Sequence, residues 1–173
     1  PPQRFTSDLQ FFARRSGGGG LAVCRSSDQQ VIRRFGNLGT EPKTMRFSPD
    51  DSLLGVKFHD GTIGVWRWRD GQIVFQTPSW PDDSDHFPPF DFTPDGRELW
   101  LSDGQTNIAR YSLPQGELLP PPPISGHVRR LRFDPPGRRL LGLSGVTVTA
   151  WDVATGAQLG QWITPDSVWC AAW

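Results

Sequence analysis

An all-β fold of repeated four-stranded antiparallel blades is predicted by two residue series that share one period. Phe5, Phe47, Phe92, Phe133 and Trp173 stand 42, 45, 41 and 40 residues apart. Cys24, Trp66, Tyr111 and Trp151 run in phase with them at intervals of 42, 45 and 40, each following its partner by 19, 19, 19 and 18 residues. A period of about 40–45 residues is the length of one propeller blade. The third observation is the punctuation, since each period holds four short extended segments bounded by turn residues. The fold class is therefore an all-β propeller of four-stranded antiparallel blades.

The first blade, about residues 1–42, places its first strand at Phe5, turns at Thr6-Ser7-Asp8, and continues through residues 11–14, 21–24 and 30–35. Gly17 to Gly20 joins two of these segments and reads as a hairpin turn, because it lacks the helix start that a phosphate cradle needs. The second blade, about 43–87, has strands at 44–47, 53–58, 63–68 and 72–77. Ser48-Pro49-Asp50-Asp51 supplies a turn, and His59-Asp60-Gly61 a tight Asp-Gly hairpin. The third, about 88–127, repeats this with Phe92-Thr93-Pro94-Asp95-Gly96 and strands at 98–102, 108–112 and 116–119. The fourth, about 128–166, runs from Phe133-Asp134-Pro135-Pro136-Gly137 through 140–143, 146–153 and 158–163. Residues 167–173 form the first strand of a further blade.

Lys plus Arg and Asp plus Glu balance at 18 each, so no bulk charge recruits nucleic acid or an anionic membrane, and neither is an expected partner. No apolar run reaches the ~18 residues that span a bilayer. The two cysteines, Cys24 and Cys170, are too few for a disulfide framework, and Cys24 at an anchor position reads as a small buried hydrophobe. The eight Trp and eleven Phe suit blades covered on both faces, so packing between blades is their expected role. The chain opens on Pro1-Pro2 without an initiator Met, so its N-terminus is expected to lie upstream. A cytoplasmic location is the expectation.

Gly126-His127 before a first strand, Phe133 through Gly137 after it, and Trp151-Asp152-Val153-Ala154-Thr155-Gly156 resemble the WD-repeat β-propeller family. Phe47-Ser48-Pro49-Asp50 and Phe92-Thr93-Pro94-Asp95-Gly96 match the same turn, and the resemblance covers essentially the whole chain. Only Trp151-Asp152 is the family dipeptide; Trp66-Arg67, Tyr111-Ser112 and Cys24-Arg25 replace it elsewhere. The resemblance implies an Asp–His–Ser/Thr–Trp network in each blade. It pairs His86 with Asp103, sets His127 against Ser144-Gly145, and leaves Asp60 facing Glu41 where a His would stand. Repeats worn in this way suggest blades held mainly by apolar packing, and the resemblance implies a role as scaffold or sensor, often within a larger signalling protein.

Counting six residues back from each anchor gives Glu41, His86, His127 and Ser167. A rim of Glu41, His86 and His127, aided by Asp82, Asp83 and Asp85, is the candidate metal set; the competing reading turns the two His into the blades as structural staples. The staple reading is preferred, and no cofactor is expected. Arg4, Arg46 and Arg132 precede anchors, with Asp91 in the third blade; alternation points them away from the anchor face, to line a central channel or to lie along a neighbouring blade. Pro120 to Pro123 reads as a stiff connector, the alternative being a polyproline II ligand.

These readings predict a non-catalytic interaction module that binds other proteins through its rim loops, with the remaining blades of the parent chain as further partners. The rival is a propeller enzyme, metal-dependent and hydrolase- or lactonase-like, with its site in the central funnel. The binding candidates are Trp80, Asp82, Asp83 and Asp85, on the long connection 78–89 that accounts for most of the 45-residue interval. A seven-bladed ring needs ~295 residues at about 42 each, so four blades and one strand predict an open arc, a partial propeller with apolar faces exposed at both ends.

Overall fold

The computed structural model describes residues 4–36, 40–79 and 89–166. Among the described residues, sixteen strands form four separate four-stranded sheets, each an antiparallel meander in chain order. The first sheet contains β1 (Arg4–Phe5), β2 (Phe11–Ser16), β3 (Gly20–Arg25) and β4 (Val31–Phe35). The second contains β5 (Pro42–Phe47), β6 (Leu53–Phe58), β7 (Thr62–Arg67) and β8 (Gln72–Ser79). The third contains β9 (Phe90–Phe92), β10 (Glu98–Ser102), β11 (Ile108–Ser112) and β12 (Leu118–Leu119). The fourth contains β13 (Arg130–Phe133), β14 (Arg139–Ser144), β15 (Thr147–Asp152) and β16 (Gln158–Ile163). Gly17–Gly19 closes the β2–β3 hairpin, with Gly18 and Gly19 at φ of 73° and 75°. No helix among the described residues is long and apolar enough to cross a membrane.

Strand register explains the constant distance between the two anchor series. In every sheet the two anchors flank one residue of the second strand. The rows are Phe5–Phe12–Cys24, Phe47–Leu54–Trp66, Phe92–Leu99–Tyr111 and Phe133–Leu140–Trp151. Residues paired directly across a sheet share a face, so each row is one transverse stripe of side chains. The shorter fourth spacing arises at the β14–β15 hairpin, where Ser144 pairs with Thr147 and only Gly145 and Val146 turn the chain.

The chain divides into two compact units, Pro1–Trp80 and Pro81–Trp173, with two sheets in each. In the first unit, Phe47, Leu54 and Trp66 of the second sheet share a core with Ala13, Leu21, Val23 and Phe35. Those four lie on the face of the first sheet opposite its own anchor row, where Phe12, Ala22 and Cys24 form a separate cluster. The second unit repeats the arrangement: Phe133, Leu140 and Trp151 pack with Trp100 and Ile108 of the third sheet. Trp100 lies between Leu99 and Leu101 on β10, hence on the face opposite the third anchor row. The stacking step in each unit is thus anchor face on opposite face.

Burial nevertheless differs among anchors that look alike in sequence. Phe47, Phe92, Phe133, Cys24, Trp66 and Trp151 are buried, whereas Tyr111 is half-buried and Phe5 is 47 % exposed. Phe5 has Phe12 beside it at 5.5 Å, but the first anchor row lies on the face turned away from the second sheet. Trp173 lies outside the described residues. Trp68, one residue past β7 and outside both series, is fully buried, and with Trp100 it heads the fully buried side chains by size among the described residues. Its ring meets Phe11 at 5.1 Å and Phe47 at 6.0 Å, its indole N–H donates to the Asp51 carbonyl at 2.7 Å, and the Arg69 guanidinium lies 4.3 Å over it. At the chain's other end β16 is mostly exposed, with Leu159, Trp162 and Ile163 open.

Candidate functional site

The turns after the anchors use their polar residues on themselves. Thr6, Ser48 and Thr93 hydroxyls each donate to the Asp two residues on, at 2.7, 2.5 and 2.7 Å, and accept the amide that opens the next strand, at Phe11, Leu53 and Glu98. In the fourth sheet the Asp134 carboxylate takes the hydroxyl's place and accepts the Arg139 amide at 2.9 Å. The Thr6 hydroxyl and then the Gln10 amide hold the Asp8 carboxyl below its ordinary range. The Thr93 hydroxyl does the same for Asp95. Partial burial pushes Asp50 up, but bonds from Ser48 and Ser52 outweigh it and the net shift is downward.

The third and fourth strands are joined by a second device that survives loss of the Trp-Asp dipeptide. Asp152 accepts the Thr155 amide and hydroxyl at 2.8 Å each. Where Arg25 and Arg67 occupy its position, the guanidinium instead clips the turn, reaching Asp28 and Gln30 in one sheet and Asp70 and Gln72 in the other. Asp28 and Asp70 then accept the Gln30 and Gln72 amides, the leading cause of the lowered pKa of each carboxyl. The connector Pro120 to Pro123 is held against the fourth turn. A Cβ on Gly156 would meet the Pro123 carbonyl oxygen at 1.8 Å, and Gly156 has a φ of 71°.

The charges on the first strands of the sheets differ between the two units. Arg4 and Arg46 stand on β1 and β5, and burial, followed by the charge of Arg46, holds the Arg4 guanidinium below its usual range. In the second unit the position belongs to Asp91, which is buried. Its carboxylate accepts the Phe92 amide at 3.0 Å and the Phe133 amide of β13 at 3.1 Å, lacing two first strands together. Arg132 is exposed.

Of the six-back positions, Glu41 is open to solvent and lies 3.8 Å from the Arg15 guanidinium, while its carbonyl accepts the His59 amide. Asp60 caps the Thr62 amide at 2.9 Å. His127 Nδ1 lies 3.1 Å from the Ser144 hydroxyl, so serine occupies the place where an Asp is expected. Asp103 is engaged with its own turn, accepting from the Gln105 and Asn107 amides and the Asn107 side chain. Its expected partner His86, together with Trp80, Asp82, Asp83, Asp85 and Ser167, lies outside the described residues. Among the described residues no three His, Cys, Asp or Glu side chains gather as a metal site.

Beside His127 is a pocket of about 180 Å³ lined by Ser125, Gly126, His127, Ser144, Thr147, Thr149, Trp151, Gln158 and Gln161. Thr147, Thr149 and Trp151 reach it from alternate positions of β15, and the two glutamines from β16. The sequence analysis singles out His127 and Trp151 but none of the hydroxyl and amide side chains around them. Their signal is the Thr-x-Thr-x-Trp alternation on a predicted strand, which places three side chains on one face. A scan against protein-family models finds no match to the chain, and a comparison with curated proteins finds none either.

Proposed function

We propose that the chain is a non-catalytic interaction module, part of a WD-repeat propeller that binds other proteins through its rim loops. The observation that carries this reading is the stacking step found in both units, anchor face against opposite face, which is the step a propeller repeats around its axis. Stacked in this way, sheet faces are committed to one another, and recognition falls to loops carried on a rigid scaffold. The long connection with Trp80, Asp82, Asp83 and Asp85 is the most distinctive of these loops in composition. An aromatic anchor beside three carboxylates suits a partner segment that bears Arg or Lys. Within a parent protein the module acts as a cytoplasmic scaffold or sensor, with further blades of the same chain as neighbours.

Affinity capture with the full-length parent tests this reading. Trp80→Ala combined with Asp82→Ala and Asp83→Ala is expected to lose partner capture while the far-ultraviolet circular dichroism and Tm stay unchanged. Undiminished capture by that triple variant refutes the assignment of the loop. Elemental analysis addresses the enzyme reading: one Zn, Mn or Fe per chain, lost on His127→Ala, replaces the scaffold with a metalloenzyme.

A further inference from the structure

The pocket beside His127 has no part in the loop-mediated role proposed above. It draws on four elements of the second unit: the connector at Ser125 and His127, β14 at Ser144, β15 through Thr147 and Thr149, and β16 through Gln158 and Gln161. We infer that it binds a neutral carbohydrate through one pyranose ring.

Volume bears on the part of the occupant that the pocket holds. The pocket is partly open to solvent, and its volume of about 180 Å³, set beside the roughly 150 Å³ cavity that takes one benzene ring, seats a single six-membered ring. Charge sets its class. Among the described residues no Asp, Glu, Lys or Arg lines the pocket, so a phosphate, carboxylate or ammonium placed there loses hydration and gains no counter-charge from them. Two serines, two threonines and two glutamines form most of the wall, with His127 beside them. Displacing water from these groups with an apolar ring leaves their donors and acceptors without partners. A ring that carries several hydroxyls avoids that loss, because every hydroxyl both donates and accepts, as do Ser, Thr and the Gln amide. Two of these groups already bond within the wall, Gln161 Nε2 donating to Thr149 Oγ1 at 3.3 Å and His127 Nδ1 meeting the Ser144 hydroxyl at 3.1 Å, and a sugar hydroxyl that both donates and accepts can join or replace either bond. The buried Trp151 indole fixes the inner wall and places a fluorophore at the site.

The test titrates the full-length chain with the methyl glycosides of glucose, galactose and mannose and with N-acetylglucosamine. Saturation-transfer NMR and tryptophan fluorescence are the readouts, and glucuronate and glucosamine are the charged controls. A saturable response to at least one neutral sugar is expected, exceeding that of both charged controls. Thr149→Val, which removes a hydroxyl at nearly constant shape, and Gln161→Ala, at an exposed position, are each expected to weaken it about three- to tenfold. If Thr149→Val does not fold, Gln161→Ala decides the matter alone. The inference is overturned by the absence of a saturable response to every neutral sugar, by a charged control that binds more tightly, or by unchanged affinity in the folded variants.

Discussion

Gly64→Ala places one methyl group where the Trp66 ring already lies. Trp66 stands two residues further along β7, and its ring folds back over Gly64, so a Cβ there would sit 2.2 Å from Cη2, 2.6 Å from Cζ3 and 3.0 Å from Cζ2. Ordinary contact begins near 3.4 Å, so the ring or the strand must yield by about 1.2 Å, the difference between 3.4 and 2.2 Å. Little room exists for that movement, because Phe35 and Phe58 hold the same ring edge-on at 6.0 and 5.9 Å in a buried core. Overpacking of this kind costs about 1–3 kcal/mol. For a unit of this size each kcal/mol lowers Tm by roughly 4–8 °C, which gives an expected drop of about 4–24 °C. Thermal and urea unfolding followed by tryptophan fluorescence and circular dichroism measure it. Gly17→Ala is the control, since nothing lies within 4 Å of its Cβ position, and it is expected to be nearly neutral. Trp66→Phe removes the colliding ring, so Gly64→Ala together with Trp66→Phe should cost less than the sum of the two single changes. A Gly64→Ala protein within about 0.5 kcal/mol of the parent refutes the wedged ring.

Two further outcomes follow from the polar groups. Asp91→Ala leaves the buried Phe133 amide without its carboxylate and is expected to destabilise the second unit by about 1–3 kcal/mol in urea unfolding. The Phe92 and Phe133 amides each use a different carboxylate oxygen, so Asp91→Asn keeps one acceptor but sets its –NH2 against the other amide and is also expected to destabilise; both variants within about 0.5 kcal/mol of the parent contradict the assigned hydrogen bonds. The turn carboxyls Asp8, Asp28, Asp50, Asp70, Asp95 and Asp152 all have folded pKa values below their ordinary one. A depressed carboxyl stabilises the fold above its unfolded pKa of about 3.9 and loses that contribution as pH falls through the lower folded value. The urea midpoint should therefore be steady from pH 7 to about 5 and fall below about pH 4; a midpoint unchanged down to pH 2 counts against these bonds.

Much of the candidate site lay beyond the reach of pattern. The motif resemblance marks His127 as a side chain with a partner in the β14–β15 turn, and the structure supplies Ser144. The pocket next to it needs Ser125 and Gln161 in one place, although 36 residues separate them, and no rule of spacing joins a connector to an outer strand. Arg25 and Arg67 look like losses when read against a Trp-Asp template. In the fold they keep the same turn by clipping it with a longer side chain.

What the sequence determined by itself is everything that acts over a few residues or one hairpin. Strands β6, β10, β11 and β16 begin and end at the predicted residues, because turn chemistry and apolar runs are local. The meander order and the anchor rows follow as well, since a hairpin of given length sets its own register. Tertiary structure alone decided which face of each sheet is covered. Phe5 and Phe47 hold equivalent places in their repeats, yet one is half open to solvent and the other buried. Trp68 belongs to neither series and is fully buried. Asp91 follows the same logic, with its bond partner 42 residues away on another sheet. Burial is a property of two surfaces in contact, and the second surface is supplied by a part of the chain that the local pattern does not specify.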